Sequence, residues 1–247
     1  MLISWAITTH NERDYIQTLL NQLIPFCNET GDEIVVVDDY STDEFTCSLL
    51  NAYASSGDIK LVQHALNNNF AEHKNFLTEQ CSGDYIFQID ADETLHSNLL
   101  TYIHDLIEHN PQIDLFAIPR VNVVTGLTEE DIAKWGWRVS KLDSHIGEKL
   151  IDTESAEYKM LKNNGLIIDE TGAIVKIKYY IPIVQAPDYQ TRVYRNHPDI
   201  KWEGKVHERI TGYKTSATFP DEEEWALYHI KDISRQRAQN DFYNTMV

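Results

Sequence analysis

Phe87-Gln88-Ile89-Asp90-Ala91-Asp92-Glu93 is a short apolar run that stops in three carboxylates with one small residue among them. Following Gly83-Asp84, a run of this length reads as a buried strand. Strand periodicity turns the side chains of Asp90 and Asp92 the same way. Like charges held this close repel each other, so the cluster wants a cation. A hard divalent ion, shared with a ligand that brings anionic oxygens, meets that need. The competing reading is a polar strand-to-helix turn in which Asp92 or Glu93 caps the helix.

Toward the N-terminus the same pattern recurs. Ile34-Val35-Val36-Val37 is β-branched throughout, without polar alternation, as expected of a strand covered on both faces. It too ends in carboxylates, Asp38-Asp39, and a β-prone run over residues 2–8 ends in Thr8-Thr9-His10-Asn11-Glu12. Between these runs lie helical patterns. Tyr15, Ile16, Leu19, Leu20, Leu23 and Ile24 recur at three- and four-residue steps, predicting a helix that halts near Pro25. Further helices are expected over residues 45–53, 70–81 and 97–108, with a third strand at 59–62. Strand–helix alternation of this kind predicts an α/β fold with a central, mostly parallel sheet flanked by helices. In such sheets ligands bind outside the carboxyl ends of the strands, where Thr8, Asp39, Asp90 and Asp92 all fall.

The texture changes after a strand at 115–118. No clean period runs to about residue 165, and Glu129-Glu130-Asp131 reads as the solvated face of a loop. In Trp135-Gly136-Trp137-Arg138 the glycine permits a bend that presents both indoles, either as core or lid packing or as a platform for a sugar or base. Strands are expected at 174–183, 189–195 and 225–230, a polar segment with a turn at Gly204 over 202–211, and an amphipathic helix over 233–246.

The chain of 247 residues is long enough for a substantial core, and 42% apolar with 11% aromatic residues argues against disorder. Its formal charge of −18 disfavours nucleic acid as acceptor, though not a small anion held through a metal. Cys27, Cys47 and Cys81 form no CxxC pair and read as reduced thiols. With no leader-like start and no apolar run of transmembrane length, the expected location is the cytoplasm.

Several side chains are candidates for chemistry. Asp39 suits the imide N–H of a uracil-like base, with Thr8 near enough to touch it. Asp92 is the candidate metal ligand for Mn²⁺ or Mg²⁺, while Asp90 reaches ribose hydroxyls or the metal through water. Neither GxxxxGK nor a GxGxxG after the first strand is present, which weakens the commonest phosphate-loop and dinucleotide readings. In Trp202-Glu203-Gly204-Lys205-Val206-His207-Glu208-Arg209, Glu208 is the candidate general base and His207 its competitor. His229 is a candidate metal or phosphate ligand; Arg192 and, more weakly, Lys74 are candidates to offset diphosphate charge.

Taken together these motifs resemble the family 2 glycosyltransferases of the GT-A fold. Ile7-Thr8-Thr9-His10-Asn11-Glu12 is similar to the family's first-strand motif, Val35-Val36-Val37-Asp38-Asp39-Tyr40-Ser41-Thr42-Asp43 to its VVVDDxSxD sequence, and Phe87 through Glu93 to its DxD strand. Gln190-Thr191-Arg192-Val193-Tyr194-Arg195-Asn196 with the later His207-Glu208 resembles the RxFR…GxxHE region of a subset of the family. Residues 125–170 match no part of the pattern, and the loop Asn67-Asn68-Asn69 through Asn75 departs from it, since relatives often carry a basic residue and more glycine there.

The resemblance implies that residues 1–115 form a nucleotide-sugar-binding half and 116–247 an acceptor-binding and catalytic half, packed as one continuous domain. It implies contacts of Thr8 and Asp39 with the base, Asp90 with the nucleoside and Asp92 with the metal, and places Glu208 near the general base. The activity expected is metal-dependent, inverting sugar transfer from a nucleoside-diphosphate donor, UDP-linked, to a carbohydrate or other hydroxyl. The rivals are a nucleotidyltransferase acting on a sugar phosphate and a non-catalytic nucleotide- or sugar-binding protein.

Overall fold

The computed structural model describes residues 1–140, 146–152, 174–180 and 183–244. The chain divides into two compact units, one of Met1–Val121, Pro187–His229 and Asn240–Val247, the other of Asn122–Ala186 and Ile230–Gln239.

The first unit opens with β1 (Ile3–Thr9), α1 (Arg13–Thr30), β2 (Glu33–Asp38), α2 (Glu44–Ser56), β3 (Lys60–Gln63), α3 (Phe70–Glu79), β4 (Tyr85–Asp90), β5 (Glu93–Leu95) and α4 (Ser97–Glu108). The expected alternation is present, and β3, β2, β1 and β4 lie side by side and parallel. β6 (Leu115–Thr125) then leaves this unit for the second, which holds α5 (Glu129–Trp135), β7 (Val139–Ser140), β8 (Ile146–Asp152) and β9 (Ile174–Tyr180). β10 (Ile183–Arg195) returns to the first unit, followed there by β11 (Lys201–Glu203), β12 (Arg209–Thr211) and β13 (Ser216–Thr218). β14 (Leu227–Asp232) and α6 (Ile233–Asn244) end the described chain.

The sheet continues from β4 through β10, β6 and β14 to β5, and the β4–β10 and β5–β14 pairs are antiparallel. It is therefore a mixed α/β sheet flanked by helices, as in GT-A nucleotide-sugar transferases, with its parallel part confined mainly to the N-terminal strands.

Both faces of those strands are covered. Trp5, Ile7, Val36 and Phe87 pack with Ile16, Leu19, Leu20 and Leu23 of α1 and Leu99 and Ile103 of α4. Ala6, Val35, Val37 and Ile86 point the other way, toward Ala71 and Leu77 of α3 and the buried Trp202. The run of valines thus has no polar alternation because neither face meets water. Trp5 stacks on Phe87 with ring centroids 4.8 Å apart and takes the edge of Phe26 at 5.8 Å.

Phe26 also explains a departure from expectation. α1 does not stop at Pro25 but carries it inside the helix and ends at Gly31, in the left-handed region at φ 80°. An interior proline costs about 3 kcal/mol. Pro25 is exposed, whereas Phe26 packs on the core and Cys27 lies within it, so burial of the last turn outweighs that cost.

In the second unit the acidic triplet 129–131 begins α5 rather than a loop. Thr128 and Asp131 form a reciprocal capping box, and Arg237 is bound to the Asp131 carboxylate at 2.8 Å. These carboxylates sit where a helix N-terminus favours them. Gly136 closes α5 at φ 63°, and the bend expected there sets the rings of Trp135 and Trp137 4.8 Å apart. β8 and β9 form a separate antiparallel pair. Among the described residues no helix is long and apolar enough to cross a membrane. All three cysteines are free, and burial pushes the Cys27 and Cys81 thiols up to about 12.

Candidate active site

The parallel register fixes the site's floor. Thr8 lies opposite Val37 on one side and Asp90 on the other, so β2, β1 and β4 end level with one another. The Thr8 hydroxyl is 3.5 Å from Asp90 Oδ1. The Asp39 backbone N–H bonds to the Thr9 carbonyl, and the Asp39 carboxylate accepts from the Leu66 N–H at 2.9 Å, which orients it at the end of β2. Thr8, Asp39 and Asp90 therefore lie at the carboxyl ends of adjacent parallel strands, with Asp92 two residues beyond Asp90.

Asp90 already has cations beside it. Arg192 reaches across from β10, with Nη2 2.7 Å from Asp90 Oδ2 and 2.6 Å from Glu93 Oε1, while Nη1 binds Gln88 Oε1. Arg120 joins from β6 with Nη1 3.1 Å from Glu93 Oε1 and Nη2 2.8 Å from Asp188. Glu93, fully buried, uses its other oxygen to accept the Asp90 backbone N–H at 3.1 Å. Burial alone would raise the Asp90 pKa, but Arg192 and then Lys74 hold it well below the ordinary carboxylate range. Arg192 likewise loses to burial and regains more from Asp90 and Glu93, which raise its pKa. The repulsion read from the sequence is thus answered, for Asp90 and Glu93, by arginines the protein supplies itself.

Lys74 connects this cluster to the C-terminal motif. Its buried ammonium is 2.6 Å from Glu208 Oε1, 3.9 Å from Asp90 Oδ1 and 4.5 Å from the centre of the Trp202 ring. Its placement is set by α3, whose Ala71, Lys74 and Leu77 turn inward at helical spacing. Trp202 is anchored by two backbone bonds with Asn75 at 2.9 Å and by its indole N–H to the Tyr194 hydroxyl at 3.1 Å. β11 and β12 pair as a hairpin whose loop turns at Gly204, φ 99°, and at His207, φ 55°. This bend separates the two candidates: His207 is exposed, while Glu208 turns inward to Lys74.

Asp92 has a different neighbour. The His229 Nε2 atom lies 3.2 Å from Asp92 Oδ2, held there because β14 pairs with β5 and puts His229 opposite Glu93. An imidazole beside a carboxylate is a mixed nitrogen–oxygen donor pair of the kind that ligates divalent metals. Among the described residues no group of three or more His, Cys, Asp or Glu side chains is arranged to hold a metal. Two side-chain donors fit a cation that completes its shell with water and diphosphate oxygens, and they do not fit a closed all-protein cage.

The structure therefore gathers Thr8, Asp39, Lys74, Asp90, Asp92, Arg192, Glu208 and His229 at one edge of the first unit, with His207 on the outer side of its loop. The sequence offers Glu93 as one of three clustered charges or as a helix cap, a place that His96 takes, and it singles out neither Arg120 nor Asp188. Arg120 follows Pro119 with no motif around it. Its partners become visible only when β6 is placed beside β10.

Residues 4–183 match the family described as Glycosyl transferase family 2. The chain belongs to that family. Among its relatives is the poly(ribitol-phosphate) beta-N-acetylglucosaminyltransferase TarS of Staphylococcus aureus (strain Mu50 / ATCC 700699), 28% identical over 173 residues, which cover 69% of this chain and 30% of TarS. Another is the undecaprenyl-phosphate 4-deoxy-4-formamido-L-arabinose transferase of Pseudomonas syringae pv. syringae (strain B728a), 35% identical over 94 residues, 36% of this chain and 28% of that one. This family member thus spans about 30% of the length of the TarS it matches. The crystal structure of S. aureus TarS 1-349 superposes with a TM-score of 0.55 at 19% identity, covering 93% of this chain and 60% of that one. The same protein with UDP-GlcNAc gives 0.54, covering 94% and 59%.

Proposed function

We propose that the protein transfers a sugar from a nucleoside-diphosphate donor, UDP-linked, to an acceptor hydroxyl with inversion at the anomeric carbon. The reading rests chiefly on one observation: Lys74 ties Glu208 to Asp90, so a candidate general base lies beside the candidate donor site. Membership in the family supports the activity class, and the TarS complex with UDP-GlcNAc supports the choice of uridine.

In this reading Asp39 and Thr8 receive the base, and Asp90 receives the ribose. Arg192, surrounded by Gln88, Asp90 and Glu93, fixes the Asp90 carboxylate rather than meeting phosphate itself. Lys74, which lies between Asp90 and Glu208, would face the diphosphate. Asp92 and His229 would hold Mn²⁺ or Mg²⁺, which when bound offsets the charge of the leaving diphosphate. Glu208 takes the proton of the acceptor hydroxyl as its oxygen bonds to the anomeric carbon. The bond from that carbon to the diphosphate breaks on the opposite face, and the electron pair leaves with the nucleotide.

The test is to incubate the protein with UDP-, GDP- and CDP-sugars and Mn²⁺ and identify what accumulates. Nucleoside diphosphate is expected, with slow release of free sugar when no acceptor is supplied. Inorganic diphosphate formed from a nucleoside triphosphate and a sugar phosphate would instead establish a nucleotidyltransferase. No turnover of any donor, with nucleotide still bound, would leave a binding protein.

A further inference from the structure

The ion pair between Lys74 and Glu208 has a consequence for the order of events. Glu208 is only 15% exposed and Lys74 only 6%, so their 2.6 Å contact is largely shielded from water. A carboxylate oxygen held this closely by an ammonium is occupied, so an acceptor hydroxyl cannot reach it without displacing the lysine and stranding a buried cation. Lys74 also lies 3.9 Å from Asp90 Oδ1, the carboxylate whose other oxygen holds Arg192.

We propose that Lys74 is exchanged between Glu208 and the donor diphosphate, so that donor binding releases the base. Without donor, Lys74 rests on Glu208 and the carboxylate is silenced. When a diphosphate arrives, its oxygens compete for the same ammonium, whose charge cannot be fully shared by both anions. As the lysine swings toward phosphate, the Glu208 oxygen is vacated and can accept the hydrogen bond of an acceptor hydroxyl. The Trp202 ring, 4.5 Å below the ammonium and anchored at both ends, offers a face on which the cation can pivot without leaving a favourable field. The device opens the base to the acceptor only when there is a donor to attack. This inference rests on the nucleoside-diphosphate reading and on Glu208 as base.

It predicts an effect of unusual sign on binding, independent of turnover. With Mn²⁺ held constant, the Kd for UDP, GDP and CDP is measured by calorimetry for the wild-type protein, Glu208→Gln, Lys74→Met and the double variant. Removing the competing carboxylate should tighten binding of the preferred nucleotide on the order of fivefold, and Lys74→Met should weaken it on the order of tenfold. In the Lys74→Met background, Glu208→Gln should then change Kd by less than about twofold. Thermal melting without nucleotide checks that each variant folds, and Lys74→Gln replaces Lys74→Met if the latter does not melt cooperatively.

Unchanged or weaker binding by Glu208→Gln overturns the exchange while leaving the donor reading standing. Equal tightening in both lysine backgrounds also overturns it, since simple repulsion between Glu208 and phosphate would then suffice. Failure of all three nucleotides to bind the wild-type protein sinks the donor reading, and the exchange with it.

Discussion

Asp90 and Asp92 are two residues apart, yet the two sides of their turn are built on different principles. On the Asp90 side the protein supplies positive charge, Arg192 at 2.7 Å and Lys74 at 3.9 Å, with Glu93 and Arg120 extending the alternation of sign. On the Asp92 side an imidazole lies at 3.2 Å, a side chain of the kind that ligates metals. One carboxylate is thereby held by fixed arginine charge, while the other sits beside the side chain proposed here to share a cation with it. A pair of carboxylates at a strand end is thus not a symmetric metal clamp. Its chemistry is decided by what the neighbouring strands bring up to each member.

The contrast is sharpest under substitution. Asp92→Asn removes a charged oxygen from the side proposed to hold the cation, and transfer at saturating donor and Mn²⁺ should fall on the order of a thousandfold. The initial rate of nucleoside diphosphate release measures it, and a full rate would erase the distinction between the two sides. Arg192→Met acts on the other side and should appear mainly in stability. It leaves Glu93 buried beside Asp90 with one cation fewer, at a cost of about 3–5 kcal/mol. Urea denaturation should show this as a lower midpoint at unchanged slope. An undiminished midpoint would mean that the arginine does not fix Asp90.

His229→Gln should weaken the apparent affinity for Mn²⁺ by about 10–100-fold, with little effect on unfolding. It is read by titrating Mn²⁺ at constant donor. The smallest effect expected is in acid. Asp90 is held below the ordinary carboxylate value, and so is Asp32, where burial is outweighed by bonds from His104, the Ile3 N–H and the Trp5 indole. Depressed carboxylates contribute stability that is complete above the unfolded value near pH 4 and is lost as pH falls through the folded value. The Tm should be flat from these groups above about pH 5 and fall as the pH drops below about 3. In Arg192→Met the drop should be shallower, because Asp90 then titrates nearer its unfolded value.

What the sequence carried well was local. Apolar runs without alternation, helical spacing in Ser97–Glu108, and carboxylates placed just past strand ends are written in neighbouring residues. So the parallel α/β core and the membership of Thr8, Asp39, Asp90 and Asp92 in one edge were legible, because parallel strands joined by right-handed crossovers must end on the same side. Local pattern failed where distant packing intervened. Pro25 was read as a stop because its penalty is local, while the Phe26 contact with Trp5 that outweighs it is not.

The electrostatics of the site belong to the same class. Residue types and spacing by themselves determined that negative charge gathers at the ends of β2 and β4. Tertiary structure alone decided which charge is answered, because Arg192, Arg120, Lys74 and His229 come from strands and a helix remote in sequence. Charge interactions fall off with distance in space and take no account of separation along the chain. Their outcome is therefore settled only when β10 lies beside β4, α3 lies against Trp202, and β14 pairs with β5.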